Sequence, residues 1–215
     1  MIQKKINYTN LHIYLWAFQS ANALEYMHHA KKTPFVHCDV KPANMLLDSK
    51  GLNIKISDFG TASSIAELQN QSEPKGTRAY MSPEILNYSI LLKKDKLNNN
   101  LKIDYEKCDV YSWGISFVHC FLRKVPFLDC KNLEELNIAK QKPLDLSDEI
   151  PHRFRMILFK SIEIDSNKRF NMFEIKEKID KMLEHEKYPE PIELELIHGE
   201  LLFLNKYFYY NNFYK

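Results

Sequence analysis

Residues 37–62 read HCDVKPANMLLDSKGLNIKISDFGTA, and this stretch limits the possible folds more than any other part of the chain. Two apolar runs, MLL from Met45 and IKI from Ile54, flank the turn sequence DSKG. Runs this short, broken by Asp and Gly, predict a small β-hairpin. Asp39, Lys41 and Asn44 lie just before the hairpin and Asp58 just after it. A loop at each end can bring these groups to one point without placing any of them in a strand ladder. Folding alone has no use for so many polar side chains between apolar runs, whereas chemistry on a phosphate group does.

The rest of the chain reads as helix. Leu11, Tyr14, Leu15 and Phe18 recur at helical spacing and continue through Leu24 and Met27, predicting an amphipathic helix that ends near His29. Val110, Trp113, Gly114, Phe117, Val118 and Phe121 form the stripe of a second helix, expected at the centre of the core. Asn132 followed by Glu135, and Asn171 followed by Glu174, are capping signals. Leu133 and Leu136 line the first of these helices, Ile175, Ile179 and Met182 the second, and Phe154, Ile157 and Leu158 a helix between them. Residues 91–102 have no clean period and contain an Asn run, which predicts a surface insertion. The composition changes at YPEPIE, after Glu186, and the chain closes on an aromatic-rich tail.

With 45% hydrophobic and 27% charged residues the chain falls in the ordinary globular class. Its net charge of +2 is spread over scattered lysines, so no nucleic-acid partner is expected. The four cysteines, Cys38, Cys108, Cys120 and Cys130, make no CxxC pair, which predicts reduced thiols in a cytoplasmic protein. No apolar run is long enough to span a bilayer. The sequence leaves the oligomeric state open.

HCDVKPAN resembles the catalytic loop of the protein kinases, H-R-D-L-x-x-x-N, departing from it at Cys38 and Val40. Further kinase-like features follow in the family's order. They are DFG at Asp58, Phe59 and Gly60, GTRAYMSPE ending at Glu84, DVYSWG with Asp109, and the late Arg169. The ordered set carries the resemblance, since a lone DFG or HxD is common. It implies a mainly α protein with a small β-hairpin, similar to the C-terminal lobe of a kinase (α+β). Residues 1–184 would form that lobe, with catalytic loop 37–44, activation segment 58–84 and insertion 91–102; residues 185–215 would be the tail.

The resemblance also implies roles. Asp39 would accept the proton of a substrate hydroxyl, and Lys41 would neutralise charge on the transferred phosphoryl group. Asn44 and Asp58 would hold Mg²⁺ on ATP. Leu46 would lie under the adenine, and Thr77 would stand on the substrate side. His37 and Phe59 would pack together in the interior, Glu84 would pair with a buried Arg169, and Asp109 would hold the catalytic loop by its backbone. Cys38 takes the place of an arginine that pairs with a loop phosphate in some members, so Ser63, Ser64 and Ser72 are not expected to control activity.

The five glycines include no GxGxxG, and nothing before Leu11 supplies a strand-borne lysine, so the expectation is a fragment lacking the N-terminal lobe. The favoured function is a Ser/Thr protein kinase acting on a protein substrate. The alternative is a catalytically inactive docking or decoy module. A small-molecule phosphotransferase fits less well, because GTRAYMSPE and Arg169 argue for a protein substrate.

Overall fold

The computed structural model describes residues 8–30, 32–68, 73–94 and 102–192, together with the backbone of residues 202–203. Among them the chain is mainly helical, with two small antiparallel sheets. Helix α1 (Asn10–His28) opens on a capping box in which Thr9 and His12 satisfy each other's orphan groups. Its face with Trp16, Ala21 and Leu24 is fully buried. The hairpin is fastened to this helix by side chains. Trp16 Nε1 donates to Gly51 O at 2.8 Å, Gln19 Nε2 donates to Leu52 O at 3.2 Å, and Gln19 Oε1 accepts from Ile54 N at 2.8 Å.

Strands β2 (Met45–Leu47) and β3 (Ile54–Ile56) pair with Met45 opposite Ile56, which is the hairpin expected from DSKG. Gly51 turns the chain at φ +65°, where a side chain is disfavoured. The sequence suggested one hairpin, and the fold adds two pairings to it. Strand β1 (Phe35–Val36) pairs with β4 (Ser63–Ser64), and β5 (Leu202–Phe203) pairs with the other edge of β2. Two-residue strands carry no periodic signal, so only the tertiary pairing reveals them. The chain reaches β5 past Ile192, whose N–H donates to Lys50 O at 2.8 Å and whose side chain packs on Gly51.

Helix α4 (Tyr105–Leu122) runs through the centre, capped by Asp104, whose side chain accepts from Lys107 N. Trp113 and Phe117 are fully buried on it, their rings 4.7 Å apart. Helix α6 (His152–Ser161) adds Phe154, stacked 5.1 Å from Tyr14 of α1. Helix α7 (Met172–Leu183) starts at the Asn171–Glu174 capping box and buries Met172, Ile175 and Ile179.

A short helix α2 (Ile65–Leu68) follows β4, and α3 (Pro83–Lys93) packs against α5 (Leu133–Lys140), which Asn132 caps. The expected insertion at 91–102 therefore begins inside a helix. Pro83 at the first turn starts α3, and Ile85, Leu86 and Ile90 hold it to the core as far as Lys93. The Asn run, and all of the tail except residues 185–192 and the backbone of 202–203, lie outside the described residues. No helix among the described residues is long and apolar enough to cross a membrane.

Candidate active site

The site is built on the loop between β1 and the hairpin. Asp109 of α4, almost wholly buried, receives the N–H of His37 at 2.7 Å and that of Cys38 at 2.9 Å, and bonds to His28 Nε2 at 3.0 Å. Cys38 is held at φ +66°, a conformation costing on the order of 1–3 kcal/mol for a residue with a Cβ. The two bonds to Asp109 hold it there. Gly76 (φ +116°) lies so close that an added Cβ would sit 2.3 Å from Cys38 O, so only glycine lets the two segments meet.

This approach brings Thr77 onto Asp39. Thr77 N–H donates to Asp39 Oδ1 at 2.8 Å, and Lys41 Nζ donates to both Asp39 Oδ2 and Thr77 Oγ1 at 2.6 Å. Burial pushes the Asp39 carboxyl upward, but the Lys41 ammonium and the Thr77 donors outweigh it and hold the group below its ordinary value. The result is an ionised, oriented carboxylate.

Asn44 is buried, and its Nδ2 donates to Asp39 O at 2.8 Å and Oδ2 at 3.2 Å, which leaves the amide oxygen out of both bonds. Asn44 O accepts Ser57 N–H at 2.8 Å, so Asp58 is one residue away from that contact. Asp58 is exposed at φ +62°, a left-handed position that Asp tolerates. An amide oxygen and a carboxylate are hard donors of the kind that suit Mg²⁺ and leave room for water and phosphate. The described residues contain no cluster of three or more His, Cys, Asp or Glu arranged to hold a metal. Leu46 is half-buried on β2.

His37 is fully buried, with Nε2 3.1 Å from Ser57 O. Phe59, expected in the interior, is 54% exposed. Its ring does meet His37 at 5.4 Å, but the turn Phe59–Thr61 follows the left-handed Asp58 onto the open side of the site. Ser63 is buried in β4, Ser64 N–H donates to Glu67 Oε2 at 2.9 Å, and Ser72 lies outside the described residues.

Behind the site, the Arg169 guanidinium makes five hydrogen bonds, two of them to Glu84 at 2.6 and 2.9 Å and three to the carbonyls of Glu163, Lys107 and Ile164. Burial raises the Glu84 carboxyl and Arg169 more than reverses this, leaving it lowered. Burial, and then the charge of Asp109, push the Cys38 thiol up to about 12, which makes it a poor nucleophile.

Sequence reasoning missed two residues here. His28 offered no signal, since its partner is remote in the chain. Lys140 extends the Leu133, Leu136 face of α5, and a lysine on an apolar stripe was the available clue.

The family model described as "Protein kinase domain" matches residues 1–184. A Drosophila melanogaster protein described as mitogen-activated protein kinase kinase kinase 7-like is 30% identical over 188 residues, covering 84% of this chain and 44% of that protein. Mitogen-activated protein kinase kinase kinase 7 of Drosophila melanogaster is 36% identical over 58% of this chain and 16% of its own length. The Homo sapiens protein of the same name is 36% identical over 56% of this chain and 17% of its own length. The chain thus spans less than half the length of each of these relatives.

Proposed function

The chain belongs to the protein kinase family, and from that premise we propose that it forms the C-terminal lobe of a Ser/Thr protein kinase. The observation that carries this reading is the three-way contact of Asp39, Lys41 and Thr77. Asp39 accepts a hydrogen bond from the incoming hydroxyl and takes its proton as the oxygen attacks the γ-phosphorus of ATP, with ADP as leaving group. Lys41, fixed between Asp39 and Thr77, sets a positive charge beside the oxygens of the group in transit. The Lys41–Thr77 pairing supports a serine or threonine acceptor. The relatives' names, which describe kinases acting on other kinases, support a protein substrate.

Asn44 and Asp58 would hold Mg²⁺, which when bound neutralises charge on the ATP phosphates. Leu46 would support the adenine. Asp109 and Gly76 keep the loop and the substrate segment in register, so Asp39 needs no rearrangement before reaction.

The test is phosphoryl transfer from Mg·ATP to casein by the native gene product that carries this chain, compared with its Asp39→Asn and Asp58→Asn variants. Asp39→Asn should lower the rate by ~10² to 10⁴, the loss expected for a positioned base, and Asp58→Asn should lower the rate and raise the Mg²⁺ requirement. Transfer that survives Asp39→Asn, or a phosphotyrosine product, would overturn the reading.

A further inference from the structure

We propose that Lys140 is a positioning residue, which fastens the segment 77–81 from below and through it holds Thr77 on Asp39 and Lys41. The inference rests on the kinase reading, which gives this segment a substrate to face. Lys140 is the last residue of α5 and is almost completely buried. Its Nζ donates to Ala79 O and Met81 O, both at 2.8 Å. Between them, Tyr80 O accepts from Ser112 Oγ at 2.9 Å. Three successive carbonyls are therefore held by side chains of two helices that lie remote in sequence.

The anchorage continues directly to the site. The N–H groups of Tyr80 and Met81 donate to Thr77 O at 2.9 and 3.2 Å, and Thr77 N–H donates to Asp39 Oδ1 at 2.8 Å. A cavity of about 250 Å³ is lined by Thr77, Arg78 and Met81 of the same segment together with Leu86, Lys93 and Leu133. Helix α5 thus lines the cavity through Leu133 and, next to it, holds the lining residue Met81 through Lys140.

Packing alone does not account for a lysine here. Burying an ammonium without a carboxylate partner is costly, and an apolar residue of similar length at a buried charged site is often neutral or stabilising. Among the described residues, the ammonium is in contact with the two carbonyls and with the rings of Phe127 and Tyr111, at 4.6 and 4.9 Å, and is favoured at longer range by the Glu84 carboxylate. What the lysine adds over such a residue is the pair of bonds to the loop. Burial also drives its pKa well below the usual lysine value, in keeping with a group kept away from water.

The test compares amide hydrogen exchange in the 215-residue chain with that in Lys140→Met, Lys140→Gln and a neighbouring core control, Leu136→Ala. In Lys140→Met the amides of Thr77, Tyr80 and Met81 should exchange about tenfold faster or more, the loss expected for removed hydrogen bonds, while amides of α1 are unchanged. Lys140→Gln, which keeps a neutral amide N–H donor group on a shorter side chain, should fall between the parent and Lys140→Met, and it carries the comparison if Lys140→Met does not fold. Leu136→Ala should loosen α5 without this selective pattern.

In the native gene product, Lys140→Met should raise the KM for casein about tenfold and leave the KM for Mg·ATP within about twofold. Unchanged exchange at Thr77, or a uniform rise across the core, would overturn the positioning role. Selective loosening with an unaltered casein KM would overturn the link to substrate. If the unsubstituted protein transfers no phosphate, the kinase reading fails and the exchange comparison alone decides the role of Lys140.

Discussion

Two individual residues act by what they lack or suppress. Gly76 has no Cβ, and the segment carrying Thr77 can reach Asp39 only for that reason. Gly76→Ala combines a left-handed φ with a backbone clash, so it should destabilise the fold by about 1–3 kcal/mol and, on the proposed function, abolish phosphoryl transfer by the native gene product. Urea denaturation checks the first effect and a casein assay the second. His119, fully buried on α4 with Nδ1 2.9 Å from the Tyr80 hydroxyl, is kept neutral by burial, which lowers its pKa from 6.5 to about 4. The unfolded chain therefore binds a proton in this range that the folded chain refuses. Stability is fully present above pH 6.5 and is lost as the pH falls towards 4, by up to about 3 kcal/mol. In His119→Gln this part of the stability–pH curve should flatten, and an unchanged slope between pH 6.5 and 4 would contradict the assignment. The lowered Asp39 and Glu84 carboxyls add to the acid loss at still lower pH, as each is protonated.

Among elements, the decisive contact joins the start of α3 to the turn before α7. Arg169 commits every guanidinium donor there, two of them to Glu84 in the first turn of α3. Arg169→Met takes the guanidinium donors from three carbonyls and from Glu84, which keeps its bond from the Cys108 thiol, and should cost about 3–5 kcal/mol, seen as a lower urea midpoint with an unchanged slope. Glu84→Gln keeps a hydrogen-bonding group and should cost less. The crossing of α4 and α6 depends on Gly114, where an added Cβ would meet Ile162 Cγ2 at 2.6 Å and Ser161 Cβ at 2.9 Å. Gly114→Ala should therefore destabilise by about 1–3 kcal/mol through overpacking, despite the better helix propensity of alanine. A thermal midpoint equal to or above that of the parent would show that α6 can move aside at no cost.

For the molecule as a whole, the residues that would face nucleotide lie open. Asp58, Phe59 and Gly60 are exposed and Leu46 is only half-buried, while Asp39 and Asn44 are enclosed. The 215-residue chain alone should consequently bind Mg·ATP weakly, because phosphates on an exposed face stay solvated and gain little from nearby charges. Titration calorimetry returning a micromolar Kd would refute this. The same division separates what could be read in the chain from what could not. Helix α1, the stripe of α4, both Asn caps and the hairpin were legible because a helical period, a cap or a DSKG turn is a local property of neighbouring residues. Asp39, Lys41, Asn44 and Asp58 stood out as candidates because they flank one hairpin within a short stretch of chain. The sequence by itself therefore determined the helices, the hairpin and which polar groups were candidates for chemistry. Tertiary structure alone decided that Phe59 faces outward, that β1, β4 and β5 exist, and that His28 and Lys140 hold the machinery from behind. Those contacts join residues far apart in the chain. Each depends on where a whole helix or loop comes to rest, and no local pattern records that.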